Sequence, residues 1–357
     1  MQKVKDILLN NIETVAILKN LTLAHRYLGE LKGLCKSIPN QNILIDTLAM
    51  QEAQDSSEIE NIITTQDEIF KHKLLPQKIN TAAKEVNNYA SALGYLAGSL
   101  KNNKNILSNN NIIEAQRIIK QNNAGVRKQK GTELINEKTK QVIYTPPNPN
   151  ELVELLTDLE NFINISDKLD PLLKMAIIHH QFESIHPFYD GNGRIGRIIN
   201  IIYLVKEDLL DYPVLYLSRY INHNKNKYYN LLQKVRDDNS WEEWIIFILK
   251  AVTKTAQDSI ELINNIKNLQ QEYKITIREK LPKIYSQDLL NNIFKHPYTK
   301  IAFLMEDIKV TRITASNYLQ QLVEQNILQK HKLGKENYYI NYKLADILFN
   351  IRNMQEL

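Results

Sequence analysis

Along most of the chain, apolar side chains recur every three or four positions, the spacing that turns one face of an α-helix toward a core. Leu21, Leu28, Leu31 and Leu34 carry this rhythm near the N-terminus. It pauses at SIPNQN around Pro39, then resumes at Leu44 on a helix that carries QEAQDSSEIENIITT. KEVNNYASALGYLAGSL (84–100) predicts another helix, with Ala and Gly allowing close packing. The period returns in ELVELLTDLENFI (151–163), PLLKMAIIHHQFESI (171–185) and the strongly apolar IGRIINIIYLVKEDLL (195–210). KYYNLLQKVRDDNSWEEWIIFILKAV (227–252) predicts helix broken near Asp238-Asn239. The polar, heptad-like stretch 253–280 predicts a helical connector that Pro282 ends.

Two segments depart from this period. Within 125–149, TELI and QVIYT flank the polar turn NEKTK, a hairpin pattern closed by Pro146, Pro147 and Pro149. Near the C-terminus, a helix over Val310–Gln325 precedes a short turn and two alternating strands around Gly334. That order predicts a winged helix-turn-helix, with this helix in the recognition place. The expected fold class is mostly α: a helical core with a β-hairpin, plus a C-terminal winged helix-turn-helix domain. The expected organisation is a helical N-terminal region (1–110), a core (111–252), a connector (253–282) and the C-terminal domain (283–357).

Composition narrows this little. Ten Gly and ten Pro among 357 residues are few, which favours long uninterrupted helices. Cys35 is the only cysteine, so no intrachain disulfide or thiolate cluster can form, and a reducing cytoplasm is the expected setting. The N-terminus interleaves charges with apolar residues, and the best apolar run, 198–205, is too short to cross a bilayer, so no membrane partner is expected. A formal charge of +5 tolerates a polyanionic partner without requiring one.

The chemistry concentrates in HPFYDGNGRIGR (186–197), where Gly191, Gly193 and Gly196 are three of the ten glycines. Glycines before an apolar helix let backbone N–H groups converge on an anion, and the helix N-terminus adds its own. Arg194 and Arg197, on one side of the first turn, can each clamp phosphate oxygens. His186 suits a general base beside bound phosphate, and Asp190 is a hard ligand suited to Mg²⁺. The three glycines also fit the dinucleotide fingerprint GxGxxG, but that needs a preceding strand, and MAIIHHQFESI carries charge and histidine at helical spacing. No GK[ST] follows, which excludes a Walker loop. His180, Glu183 and His186 diverge too far around a helix to hold zinc, leaving His179 and His180 to packing or support of the site.

This stretch resembles the signature of Fic-domain proteins, HxFx(D/E)GNGRxxR, and matches all eight of its fixed positions. The resemblance implies an all-helical Fic core with a β-hairpin flap, and transfer of AMP from ATP to a hydroxyl of a target protein or of the chain itself. It implies that His186 accepts the hydroxyl proton and that Asp190 holds Mg²⁺ between the α- and β-phosphates. Asn192 and the Gly191–Gly193 amides would bind the α-phosphate, with Ile195 and Gly196 completing the loop. Arg194 would serve the β-phosphate region and Arg197 the γ-phosphate, while Phe188 resembles the apolar anchor of the loop. Gly193 speaks against the family's kinase-like branch, which has lysine there.

The hairpin at 132–144 stands where the family carries its flap, with Leu134 and Ile135 over the nucleotide. Tyr228 resembles the adenine-side aromatic, and Arg236 and Trp241 are further candidates for that pocket. SSEIEN (56–61) fits the family's inhibitory pattern (S/T)xxxE(G/N) through Ser56, Glu60 and Asn61. Its functional reading is that Glu60 pairs with Arg197 and so misplaces ATP. The competing expectation is a DNA-binding regulator with a secondary or AMP-removing Fic unit. Residues 283–357 hold ten Lys/Arg against seven Asp/Glu, too slight an excess to mark a DNA face, so protein docking or homodimerisation stands beside it.

Overall fold

The computed structural model describes residues 3–4, 12–38, 42–64, 80–135, 140–166, 168–295, 297–333 and 336–349. The chain divides into two compact units, residues 1–32 with 48–257, and residues 33–47 with 258–357. The expected break at Pro39 and the hairpin turn around Glu137 lie outside the described residues.

In chain order the first part runs α1 (Val15–Cys35), α2 (Asn42–Ile59), α3 (Thr81–Asn102), α4 (Asn109–Lys120), β1 (Leu134–Ile135) and β2 (Val142–Tyr144). Next come α5 (Pro149–Asn164), α6 (Pro171–Ile185), α7 (Asn192–Lys206), α8 (Leu217–His223), α9 (Lys225–Asp238) and α10 (Trp241–Lys280). The core of the first unit is α6 packed on α7. Every residue of α6 from Leu172 to Ile185 is buried, which explains why its sequence shows little polar face. Asp170 starts this helix by accepting the Leu172 N–H at 2.8 Å, with Pro171 at the first helical position.

Two expectations shift. α7 stops at Lys206, because Asp208 turns left-handed (φ 54°) and the N–H groups of Leu209 and Leu210 both return to the Leu204 carbonyl. The stretch 253–280 is no separate element but the continuation of α10. The break at Asn239 is present as a left-handed cap with φ 55°. The hairpin pairs Leu134 with Tyr144 and Ile135 with Val142, antiparallel and with one irregularity in register.

The second unit contains α11 (Gln287–Lys295), β3 (Tyr298–Thr299), α12 (Ile301–Ile308), α13 (Arg312–Glu324), β4 (Gln329–Leu333), β5 (Glu336–Ile340) and α14 (Tyr342–Phe349). Its three strands lie in the order β3-β5-β4, antiparallel throughout. Leu289, Ile293, Leu304, Leu319 and Leu322 form its core. Asn341, fully buried, donates to the Ile293 carbonyl and accepts from the Tyr273 hydroxyl at 3.2 Å, so its carboxamide is satisfied inside that core.

Candidate active site

The loop between α6 and α7 is built by its own side chains. His186 ends α6 in a left-handed conformation (φ 48°), its N–H still bonded to the Phe182 carbonyl. Phe188 is 1% exposed and anchors the loop in the core, where it also bridges to Val126. Asn192 closes the turn from the other side: its Oδ1 accepts the Phe188 N–H and its Nδ2 donates to the Phe188 carbonyl, both at 2.8 Å. Both ends of that carboxamide are therefore committed to the loop backbone rather than turned outward. Gly191, at φ 87°, makes the turn that a side chain would strain.

Arg127 was not among the sequence candidates. It is 2% exposed, and its guanidinium donates to the carbonyls of His186 at 2.8 Å and Pro147 at 2.6 Å. It ties the end of α6 to the segment that follows β2 of the hairpin. No periodic signal marks it, because its partners lie 20 and 59 positions away.

Two arginines rise from the first turns of α7. Arg194 is 1% exposed; it pairs with Glu85 of α3 and lies 3.5 Å from Asp190. Asp190 also meets Lys120 at 2.6 Å, and its side chain is 61% exposed. Partial burial works against its charge, but Lys120 and Arg194 outweigh this and hold the carboxyl below its usual range.

Arg197, also 1% exposed, is gripped by the SSEIEN segment. Its Nε donates to Ser56 Oγ at 2.8 Å, and one terminal nitrogen donates to the Ser56 carbonyl at 2.9 Å and to Glu60 Oε1 at 2.7 Å. Burial would weaken the guanidinium as a base, yet Glu60 raises it overall, so it stays charged. Glu60 is positioned by the end of α2. Asn61 is left-handed (φ 61°), its N–H bonds the Glu58 carbonyl, and the Ile62 N–H bonds that of Ser57. This helix-ending turn explains why Asn, or Gly, suits the motif's last position.

His186 stands beside these groups as a neutral imidazole. Burial lowers its pKa to about 4, with the Glu183 carbonyl pulling the other way. Glu183, one turn earlier on α6, is buried and pushed up to about 7.

The adenine-side candidates separate. Tyr228 is 1% exposed; its hydroxyl bonds His179 Nε2 at 2.9 Å and its ring packs against Trp244. It belongs to the core and offers no surface to a nucleotide. The apolar stripe Tyr228, Leu231, Leu232 and Val235 already puts it on the inner face, and leaves Tyr229, 44% exposed, outside. Arg236 and Trp241 line a cavity of about 530 Å³ with Tyr144, Pro146, His180 and Ser184, and none of residues 186–197 contributes to its wall. His179 and His180 are buried packing residues, one stacked on Trp244 and the other edge-on to Trp241. In the hairpin, Leu134 is partly exposed and Ile135, Val142 and Ile143 are about half exposed.

This is a helical fold in which a glycine-rich loop opens α7 beside buried Arg194 and Arg197 and a neutral His186. Three family models match it in succession: "Fic/DOC family N-terminal" over 18–96, "Fic/DOC family" over 106–204, and "Protein adenylyltransferase SoFic-like, C-terminal domain" over 269–344. The chain belongs to the Fic/DOC family. It is 24% identical over 217 residues to a probable protein adenylyltransferase of Aquifex aeolicus, covering 59% of each. It is 30% identical over 114 residues to the protein adenylyltransferase Fic of Drosophila melanogaster, covering 31% of this chain and 22% of that one. The chain thus spans well under two thirds of these relatives. A Fic family protein from Desulfovibrio desulfuricans shares the fold, with a TM-score of 0.58 at 18% identity over 92% of this chain and 96% of that one.

Proposed function

We propose that the chain is a protein adenylyltransferase held shut by its own Glu60. The observation that carries this reading is the seat of Glu60: its carboxylate lies on Arg197 and directly over Gly193, at the first turn of α7. An anion is thereby already bound where a helix N-terminus and a buried guanidinium favour one. The relatives named protein adenylyltransferases support ATP as the source of the displaced anion.

In the open state, the Gly191–Gly193 amides and α7's N-terminus take the α-phosphate, with Asn192 holding the loop in shape. Arg194 serves the β-phosphate and Arg197, freed of Glu60, the γ-phosphate. The target hydroxyl attacks the α-phosphorus, the bond to the β-phosphate oxygen breaks, and pyrophosphate leaves. His186 accepts the hydroxyl proton, which a neutral imidazole can do. Catalysis is then mainly positioning and charge stabilisation.

Asp190 suits Mg²⁺: it is the loop's one carboxylate, kept ionised and largely exposed. Magnesium commonly takes one or two carboxylates and completes its shell with substrate phosphates and water. Bound there, the ion would neutralise the departing pyrophosphate.

The half-exposed apolar residues of the hairpin support its use as a flap that pairs with a target segment. The second unit is best read as a winged helix-turn-helix. The slight excess of ten Lys/Arg over seven Asp/Glu in 283–357 favours a protein surface, a second copy included, over DNA for α13.

The test is incorporation of labelled AMP by the full chain. Glu60→Gly raises incorporation into itself or a lysate target, and adding His186→Ala abolishes it. Equal, negligible labelling of all three forms would refute the reading.

A further inference from the structure

Glu183 has no task in the chemistry just described. It stands on α6 three residues before His186, is 8% exposed, and its Oε1 makes no hydrogen bond. A buried carboxylate oxygen in that condition is costly if the group is ionised. Its place is set by Gly196, where an added Cβ would stand 2.4 Å from Oε1 and 3.4 Å from the carboxyl carbon. The signature leaves position 196 open, so the room for this carboxyl accounts for the loop's third glycine. The next residue is Arg197.

Titratable groups reach Glu183 from every side: Arg197 from α7, Glu60 from the end of α2, and Tyr228 and Arg236 from α9. Its own helix adds His179 and His186, both neutral. With Glu60 seated, Arg197 already has one carboxylate. A second negative charge in the same dry space would meet Glu60's repulsion as well as the loss of water. Burial first, and Glu60 with it, accordingly raise the proton affinity of Glu183 against the pull of Arg197 and Arg236.

We infer that Glu183 is a reserve counter-ion for Arg197. It holds a proton while an anion, Glu60 or phosphate, sits on the guanidinium, and releases that proton when the guanidinium is bare. Glu183 is then a positioning residue that keeps a buried arginine charged and in place while the site changes occupants. Release of Glu60 frees a proton, and arrival of ATP takes one up. ATP affinity therefore falls as pH rises through the Glu183 midpoint, because phosphate on Arg197 favours the protonated form. The phosphate half rests on the function proposed above; the Glu60 half does not depend on it.

The full chain, labelled with ¹³C at glutamate Cδ, gives the direct test, with the Glu183 resonance identified by its loss in Glu183→Gln. The expected result is a titration midpoint about one unit or more lower in Glu60→Gly than in the parent. An unchanged or higher midpoint overturns the inference. A second measurement is ATP calorimetry on Glu60→Gly in buffers of different ionisation heat, at about pH 7, near the midpoint. Proton uptake is expected, and it shrinks in Glu60→Gly/Glu183→Gln to what ATP's own titration supplies. Equal uptake in both overturns the inference while leaving the phosphate reading intact. If neither form binds ATP, the phosphate reading falls, and the resonance titration still decides the relation of Glu183 to Glu60.

Discussion

Glu60 Oε1 occupies the space where a side chain on Gly193 would begin, 2.3 Å from the position of its Cβ. Gly193 lies within α7 and needs no unusual backbone angle, so room alone accounts for its lack of a side chain. The loop's three glycines thus answer different demands: Gly191 makes a left-handed turn, Gly193 admits a carboxylate from α2, and Gly196 admits one from α6.

Removing the plug is the first expected gain of function. A hydrogen bond to a charged group contributes about 1.5–3 kcal/mol, and each 1.4 kcal/mol is about tenfold in population. Glu60→Gly should therefore raise AMP transfer roughly tenfold to a hundredfold. Glu60→Gln, which keeps the shape and loses the charge, should fall between it and the parent. Initial rates with labelled ATP measure both.

Gly193→Ala should behave differently. Its Cβ would press on Glu60 and also stand 3.0 Å from an Arg197 nitrogen. The substitution expels the plug and displaces the guanidinium together, so inhibition and ATP binding are both lost. Calorimetry should find ATP affinity below that of Glu60→Gly, with a stability loss of about 1–3 kcal/mol from overpacking. A rate equal to that of Glu60→Gly would show that Arg197 tolerates the intruding methyl group.

Arg127→Ala tests the tie between the hairpin and the end of α6. It leaves the carbonyls of His186 and Pro147 without their donor, at a cost of about 2–4 kcal/mol by the usual range for buried charged hydrogen bonds. In a Glu60→Gly background, kcat should fall more than KM for ATP changes, because the misplaced group is the histidine and not the phosphate loop. Urea unfolding and steady-state kinetics separate the two effects.

Acid should destabilise the first unit through its histidines. Burial lowers the pKa of His179 and His180 to about 3 and that of His186 to about 4, while the unfolded groups bind protons near 6.5. Below 6.5 the unfolded chain holds more protons, so this contribution to stability is complete above that pH and is lost as pH falls toward 3. Glu52 and Glu183 run the opposite way: burial raises both to about 7, so their contribution weakens as pH rises from 4.5 to 7. His180→Gln, which can still donate to the Leu232 carbonyl, should flatten the fall in melting temperature between neutral and acid pH. An unchanged slope would show that His180 is not held neutral by the fold.

What the sequence made legible follows from what periodicity and short motifs can carry. α6 and α7 were readable as helices because fifteen-residue apolar stretches outweigh local ambiguity, and the signature between them is contiguous. SSEIEN is equally contiguous, and its resemblance to the family's inhibitory pattern, not its spacing, carries the expectation that Glu60 meets Arg197 across 137 positions. Tyr228 enters as an adenine-side candidate through the family resemblance alone, whereas the apolar stripe of its helix places it in the core. Arg236 and Trp241, on either side of the α9 end at Asn239, line a cavity whose wall holds no residue of 186–197. Arg127, Glu85 and Lys120 carry no signal in the sequence, since they act through long-range ionic or carbonyl contacts that spacing does not encode.

The turn at Asn61 supplies a graded test of the lock. Its φ of 61° suits Gly and Asn, while a β-branched residue there is strained by about 1–2 kcal/mol. Asn61→Gly should keep Glu60 seated, although it removes the 3.1 Å contact from Lys225. Asn61→Val should open the turn that holds Glu60 on Arg197, raising AMP transfer severalfold but less than Glu60→Gly does. The order of initial rates, with Asn61→Gly nearest the parent, then Asn61→Val, then Glu60→Gly, is the expected outcome. If Asn61→Gly were as active as Glu60→Gly, the Lys225 contact rather than the backbone turn would be what seats the plug.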